Sequence, residues 1–224
     1  MMRDSPDHAQ DIAELRSLRK GERTRLRIME VTERILGSRR LKDITVAEIA
    51  AQAAVSPGTF YNYYKDVTDV VLEAVSRLPV HSPSLLALFD TPWVGLEAEH
   101  RARQLVEDYV ETWDHHSTLF RVRNLAAEEG DVRFIDVRMR SAQPLLEAIS
   151  THVSRLQTEG RMPADQKPEA VAGALLAMLE RVASVMRVYF DPPKQTPEGV
   201  TAPSSREEMI SATTLIVTKI LSIT

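Results

Sequence analysis

The sequence predicts an all-α protein, and three observations carry that prediction. Glycine is scarce, 8 of 224 residues, too few for glycine-rich phosphate loops or a turn-dense β fold. Leu, Ala, Glu, Arg and Met, all good helix formers, dominate the chain. Apolar residues recur at the three-to-four spacing of a helix face in one segment after another. With 43% apolar and 27% charged residues, the composition is that of a folded chain. Its length suits one large domain, or a small one joined to a medium one. The absence of cysteine excludes disulfides, cysteine-ligated zinc and a thiol nucleophile, and fits a reducing, cytoplasmic setting. No run approaches the ~18 apolar residues of a membrane span, and the opening residues MMRDSPDHAQ lack the apolar stretch of a secretory signal.

Each element follows from local chemistry. Residues 1–20 read as a flexible polar arm. From Gly21, the residues Ile28, Val31, Ile35 and Leu36 form one helix face, which stops at Gly37. Thr45 is a good N-cap for a second helix, with Glu48 three residues on as in a capping box and Val46, Ile49, Ala50 and Ala53 as its apolar face. Ser56 and Pro57 start a third, Ser as cap and Pro where a missing N–H costs nothing. A fourth opens at Thr68, runs through Val71, Leu72 and Val75 to Leu78, and ends at Pro79. The segment 79–95, with Pro79, Pro83 and Pro92, reads as a connector with one helical turn at Leu85–Phe89. It divides the chain into 21–78 and 79–224. Longer helices follow over 97–116, 118–128 and 132–158, the last bent by Pro144. Residues 168–190 form a helix apolar nearly all round, interrupted by Glu180 and Arg181, so it must be buried on more than one face. The four prolines of 191–204 mark a mobile loop, and 205–223 is the last helix. The count is nine helices and no sheet.

Charge is distributed unevenly. The chain carries a net −4, yet residues 15–65 hold eleven Lys/Arg against five acids, a local +6. One basic module in an acidic chain is the asymmetry of a protein that meets phosphate. Within it lies ITVAEIAAQAAVSPGTFYNYY, residues 44–64. Two short helices joined by a turn of about four residues make a helix-turn-helix. Ala50 and Ala53 are small enough for close crossing, Val55 plugs the corner, and Phe60 and Tyr64 anchor the second helix inward. That leaves Ser56, Pro57, Gly58, Thr59, Tyr61, Asn62 and Tyr63 outward or at the leading end, suited to a DNA groove. Asn can read adenine, whereas Thr and Tyr hydroxyls hold phosphate.

These residues resemble the DNA-binding head of the tetracycline-repressor (TetR) family of transcriptional regulators; the likeness runs from about Arg23 to Val75. It implies a nine-helix TetR-like fold: a homodimer with a helix-turn-helix head on 21–78 and a ligand-binding and dimerisation body on 79–224. It further implies phosphate contacts from Thr45, Tyr61 and Tyr63, a leading edge at Ser56, Pro57, Gly58 and Thr59, and a base-reading position at Asn62. Arg25 and Lys65 are expected to hold phosphate of any sequence. Ala54 stands where the family usually has a turn glycine, and Val67 where it usually has a phosphate-gripping lysine, a role for which Lys65 is the substitute at hand.

For the body, Tyr109, Trp113, Phe120, Phe134, Met139, Met178 and Met186 are candidates to line an apolar ligand cavity, with ordinary core packing as the competing reading. Asn124 and Arg181 are its candidate polar groups. The helices 168–190 and 205–223 are expected to pair across a two-fold axis as a four-helix bundle, with Leu175, Leu179, Val182, Thr213, Ile216, Val217 and Ile220 at the dimer interface. Asp114-His115-His116 reads as a polar helix end, since adjacent helical residues diverge too far to share a metal. No nucleotide-binding, nucleophile-elbow or zinc-protease motif occurs. The expectation is therefore a non-enzymatic regulator without metal or cofactor. Its partners would be an operator duplex, a small apolar or amphipathic ligand and a second copy of itself, and no membrane. A ligand-blind DNA-organising or cell-division factor on the same fold is the alternative, and an all-α enzyme comes third.

Overall fold

Polar side chains at the helix starts set the boundaries of the fold. Thr45 accepts a hydrogen bond from the Glu48 N–H at 3.3 Å, Ser56 from Thr59 at 3.0 Å and Ser82 from Leu85 at 3.1 Å. Asp66 accepts from Asp69 at 2.8 Å, and Ser205 from Glu208 at 3.2 Å. Each satisfies a backbone donor that a helix start leaves unpaired. The expected box at Thr45 is half formed, because the Glu48 carboxylate is held by Arg39 at 2.7 Å.

The structure is a computed structural model and describes residues 20–78, 81–190 and 205–222. Most of the polar arm 1–20, the helix stop at Pro79 and the loop 191–204 lie outside these residues. Among the described residues there are nine α-helices and no strand. They are α1 (Lys20–Leu36), α2 (Val46–Gln52), α3 (Pro57–Tyr61), α4 (Val67–Ser76), α5 (Pro83–Ala87), α6 (Gly95–Glu128), α7 (Val132–Thr158), α8 (Pro168–Phe190) and α9 (Arg206–Leu221). A single 3-10 turn, Leu41–Asp43, links α1 to α2. Three details differ from the expected pattern. Asp66 rather than Thr68 caps α4, because Val67 is needed in the core. The two helices expected over 97–128 form one element, with a break in the backbone angles at His116 (φ −113°, ψ 17°). The helical turn expected at Leu85–Phe89 is present as α5 but begins two residues earlier, at Pro83, where Ser82 caps it. No described helix is long and apolar enough to cross a membrane.

The apolar residues form two cores. The larger holds α5 to α9 together through Trp93, Leu105, Leu145, Ile149 and Leu179. The smaller packs Ile28, Leu36, Ile49, Phe60, Tyr64, Val70 and Val71 of the first four helices and their turns. It is completed by Leu119, Val122, Ala127 and Phe134 from α6 and α7. Burial of each such side chain is worth roughly 1.5–3 kcal/mol. An ion-pair cluster ties α1 to α4: Glu73 receives both Arg25 and Arg77, and Arg77 also meets Glu22 at 3.1 Å.

The bundle faces of α8 and α9 need correction. Leu175, Leu179, Thr213 and Val217 are buried inside the single chain, 4% exposed or less. They are packed there because α6 and α7 already cover that side of both helices. Val182 and Ile220 are half-buried. Of the seven, Ile216 is exposed, beside Leu215.

The turn between α2 and α3 holds Ala54 at φ 51°, the one non-glycine residue with positive φ among those described. A left-handed alanine costs roughly 1–2 kcal/mol, part of which glycine recovers. Ala54→Gly is therefore expected to raise the thermal midpoint by about 2–4 °C, as read by circular dichroism. An unchanged or lower midpoint would show that the turn carries no strain.

Candidate DNA-binding and ligand-binding sites

The helix-turn-helix is locked from inside. Phe60 is fully buried and Tyr64 2% exposed, with ring centroids 5.8 Å apart. Ala53 is buried at the crossing, and the Val55 N–H closes the turn onto the Ala50 carbonyl at 2.9 Å. With the inner positions filled, Thr45, Ser56, Pro57, Gly58, Tyr61, Asn62 and Lys65 are exposed, and Thr59 and Tyr63 half-exposed. Tyr61 is 58% exposed, an unusual position for a large ring with no partner surface. Ser56 and Thr59 hydroxyls lie 2.9 Å apart. Tyr63 approaches the start of α1 at Gly21. Arg25 is placed differently from expectation: Nε lies 2.8 and 2.9 Å from the two Glu73 oxygens, and the guanidinium stacks over Tyr64 at 5.5 Å. Its charge is committed to joining α1 to α4. Val67 is buried, so Lys65 is the exposed cation at the start of α4.

The body contains a cavity of about 340 Å³ among α6, α7, α8 and the residue His81, near the lower end of the about 300–1,000 Å³ of small-molecule pockets. Tyr109, Trp113, Phe120, Leu146 and Leu176 supply apolar walls, and Met139 lies at its exposed rim. Gly173 faces it with no atom within 4 Å of where a Cβ would stand. Four of the expected ligand residues meet here: Tyr109, Trp113, Phe120 and Met139. The others do not. Phe134 is fully buried in the smaller core, and Met186 in the larger, because α7 and α8 turn those faces onto neighbouring helices. Met178 faces a groove beside α9. Asn124 and Arg181 line a second groove, of about 640 Å³, on the outer side of the cavity wall.

Polar groups absent from the expected set define the cavity. Arg123 is 4% exposed. It donates to Asn124 Oδ1 at 2.9 Å, Ser141 Oγ at 3.2 Å and Glu180 Oε1 at 2.9 Å, and stacks over Phe120 at 4.7 Å. Glu180 also accepts from Asn124 Nδ2 at 2.8 Å and from Arg138. A buried guanidinium needs such a set of partners. The apolar pattern of α8 held the signal: a carboxylate interrupting an otherwise apolar helix requires a buried cation opposite. Neither ring nitrogen of His81 makes a hydrogen bond of good geometry among the described residues, the Ser141 backbone being the polar group nearby. Burial pushes its pKa down to about 4, so the ring is neutral near pH 7. Elsewhere, Asp114 pairs with Arg206, His115 Nδ1 lies 2.8 Å from the Glu111 carbonyl, and His116 stands edge-on to Phe120. No metal-holding group of His, Asp or Glu occurs among the described residues.

Comparison with known proteins agrees with this layout. The model of the tetR family of bacterial regulatory proteins matches residues 28–74, and that of the tetracyclin repressor-like C-terminal domain matches residues 86–192. No curated protein matches the chain. Among solved structures, a TetR-family transcriptional regulator described as putative, from Syntrophomonas wolfei, is 17% identical. It covers 90% of this chain and 96% of its own, at a TM-score of 0.61. The transcriptional regulator FadR of Bacillus subtilis, solved with stearoyl-CoA, is 12% identical, covering 88% and 96% at 0.61. FadR of Thermus thermophilus, a repressor solved with lauroyl-CoA, is 20% identical, covering 89% and 96% at 0.54.

The buried histidine gives a pH prediction. An unfolded His81 protonates near pH 6.5 and the folded one near 4. Stability is therefore complete above 6.5 and falls as pH drops through that window, by up to about 1.4 kcal/mol per pH unit. His116 and His152 are lowered by burial in the same sense. Urea unfolding at pH 7 and pH 5 should show a smaller loss for His81→Asn than for the parent; equal losses would remove His81 from the linkage.

Proposed function

The chain belongs to the TetR family of transcriptional regulators, and from that premise we propose that it is a cytoplasmic repressor that binds a palindromic operator as a homodimer and leaves it when a mostly apolar ligand enters the body. The observation that carries the reading is the pairing of an outward set, Ser56, Thr59, Tyr61 and Asn62, with an inward lock, Phe60 and Tyr64, on α3 and the turn that follows it. In this reading Asn62 reads a base edge, and Thr45, Tyr61, Tyr63 and Lys65 hold phosphates. The 21–78 head and the 79–224 body are the two working units.

The cavity favours ligand control over a ligand-blind role. His81 lies five residues beyond the end of α4 and lines both the cavity and a groove with Val75, Ser76 and Leu78 at the end of α4. A ligand that displaces His81 pushes the helix carrying the head. Two recognition helices must be about 34 Å apart to enter successive major grooves. A rigid-body shift of α4 takes them out of register. Acyl-CoA thioesters, held by two of the similar structures, are the first compounds to screen. The dimer surface is the outer face of α8 and α9, with Leu215 at 59% and Ile216 at 45% exposure.

Two experiments test these parts. An operator is selected from random duplexes and its affinity measured for Asn62→Ala. A loss of about 1–3 kcal/mol with relaxed base preference is expected, and unchanged affinity and preference would remove Asn62 as the reader. For assembly, Leu215→Glu with Ile216→Glu should give a folded monomer by light scattering, because both side chains are exposed in the single chain. A dimeric variant would place the interface elsewhere.

A further inference from the structure

The cavity and the groove beside it share a wall. Trp113, Glu128, Arg138, Ala177 and Glu180 line both. On the inner side Tyr109, Trp113, Phe120, Leu146 and Leu176 give an apolar surface, and the buried Arg123 beside them is paired with Glu180. On the outer side the surface is cationic: Arg39, Arg40, Arg121, Arg138, Arg181 and Arg187 line the groove against two carboxylates, Glu128 and Glu180. The hydroxyls of Ser38, Ser117, Thr118 and Ser184 lie among them. Glu180 is already shared by Arg123, Asn124 and Arg138, so its charge is spent inside the protein. Arg39 is paired with Glu48, Arg40 with Asp43 at 2.7 Å and Arg138 with Glu180, so those charges are already matched, whereas Arg121, which donates to the Leu36 carbonyl at 2.8 Å, and Arg181 pair with no carboxylate among the described residues. At about 640 Å³ against about 340 Å³, the charged compartment is the larger, roomier than one carboxylate needs.

We infer that the two compartments are one site for an amphiphile with a phosphate-bearing head, its apolar chain in the cavity and its head on the arginines of the groove. Guanidinium forks and hydroxyls are the donor set that matches phosphate oxygens. The inference rests on the reading that a ligand occupies the body, and it adds where each end of that ligand goes. It also gives the head a regulatory position. Residues 37–40, which follow α1, form one side of the groove, and α6 and α8 form the other, so the anion bridges the DNA-binding head to the body.

The test uses the full chain without DNA and three probes: dodecanol, inorganic pyrophosphate and dodecyl phosphate. Binding is read by calorimetry and by quenching of Trp113, which lines the shared wall. Dodecyl phosphate should bind about tenfold or more tighter than dodecanol, with an advantage that shrinks as salt is added. Arg121→Ala with Arg181→Ala should abolish that advantage and leave dodecanol binding unchanged. Gly173→Leu, which fills space a Cβ enters freely, should remove both chain-bearing probes. Equal binding of dodecanol and dodecyl phosphate would overturn the inference. So would pyrophosphate binding as tightly as dodecyl phosphate, which would make the groove a site for free anions. Binding as expected with no effect on operator affinity would strike the repressor reading while leaving this one standing.

Discussion

The head cannot close its own core, and the rest of the molecule is arranged around that constraint. Its three helices, two of them only 7 and 5 residues long, offer too little apolar surface to outweigh the entropy of ordering the chain. The missing surface comes from Val67, Val70, Val71 and Val75 of α4, and then from Leu119, Val122, Ala127 and Phe134 of α6 and α7. The outward residues of the helix-turn-helix are thus positioned by the same helices that wall the cavity. A disturbance of α6 or α7 reaches α4 by direct packing.

The polar interior follows a second rule, that a buried polar group, charged or neutral, is at rest only where its partners are complete. Arg123 meets it through three hydrogen-bond acceptors and an aromatic face. The neutral His81 does not, since neither of its ring nitrogens makes a well-formed hydrogen bond among the described residues. A satisfied group is architecture; an unsatisfied one beside empty volume is an offer to a ligand. The two stand on the wall of one cavity, which separates the part that holds the fold from the part left for chemistry.

How much of this was legible in the sequence depends on the range of the forces involved. Caps and turns act over three or four residues, so Thr45, Ser56 and the inward set Ala53, Phe60 and Tyr64 could be read directly. The division expected near 116–118 appears as the break at His116 inside one helix, because a polar Asp-His-His run weakens the apolar pattern without supplying a stop. Long-range pairings were not legible. Nothing near Arg123 in the chain distinguishes it from Arg121 or from a solvated arginine, and its partner Glu180 lies 57 residues away. The pattern at Leu175, Leu179, Thr213 and Val217 fits a second copy as well as it fits the chain's own core, because a helix covered by its own chain and one covered by a partner show the same apolar periodicity. Phe134 and Met186 show the parallel ambiguity between a core and a cavity wall.

The break at His116 also gives α6 the mechanics of a lever. Its first stretch, with Ala102, Leu105, Val106 and Val110, belongs to the larger core, whereas Leu119, Val122 and Ala127 beyond the break belong to the smaller one. The arm from His116 to Glu128 is about 18 Å long at 1.5 Å per residue, so each degree of bending carries its tip about 0.3 Å. Trp113 and Phe120, 5.1 Å apart, straddle the fulcrum and face the cavity together. A guest wedged against that ring pair would work at the short end of the arm, and its small displacement would be geared up at the far end, where α6 packs against the smaller core.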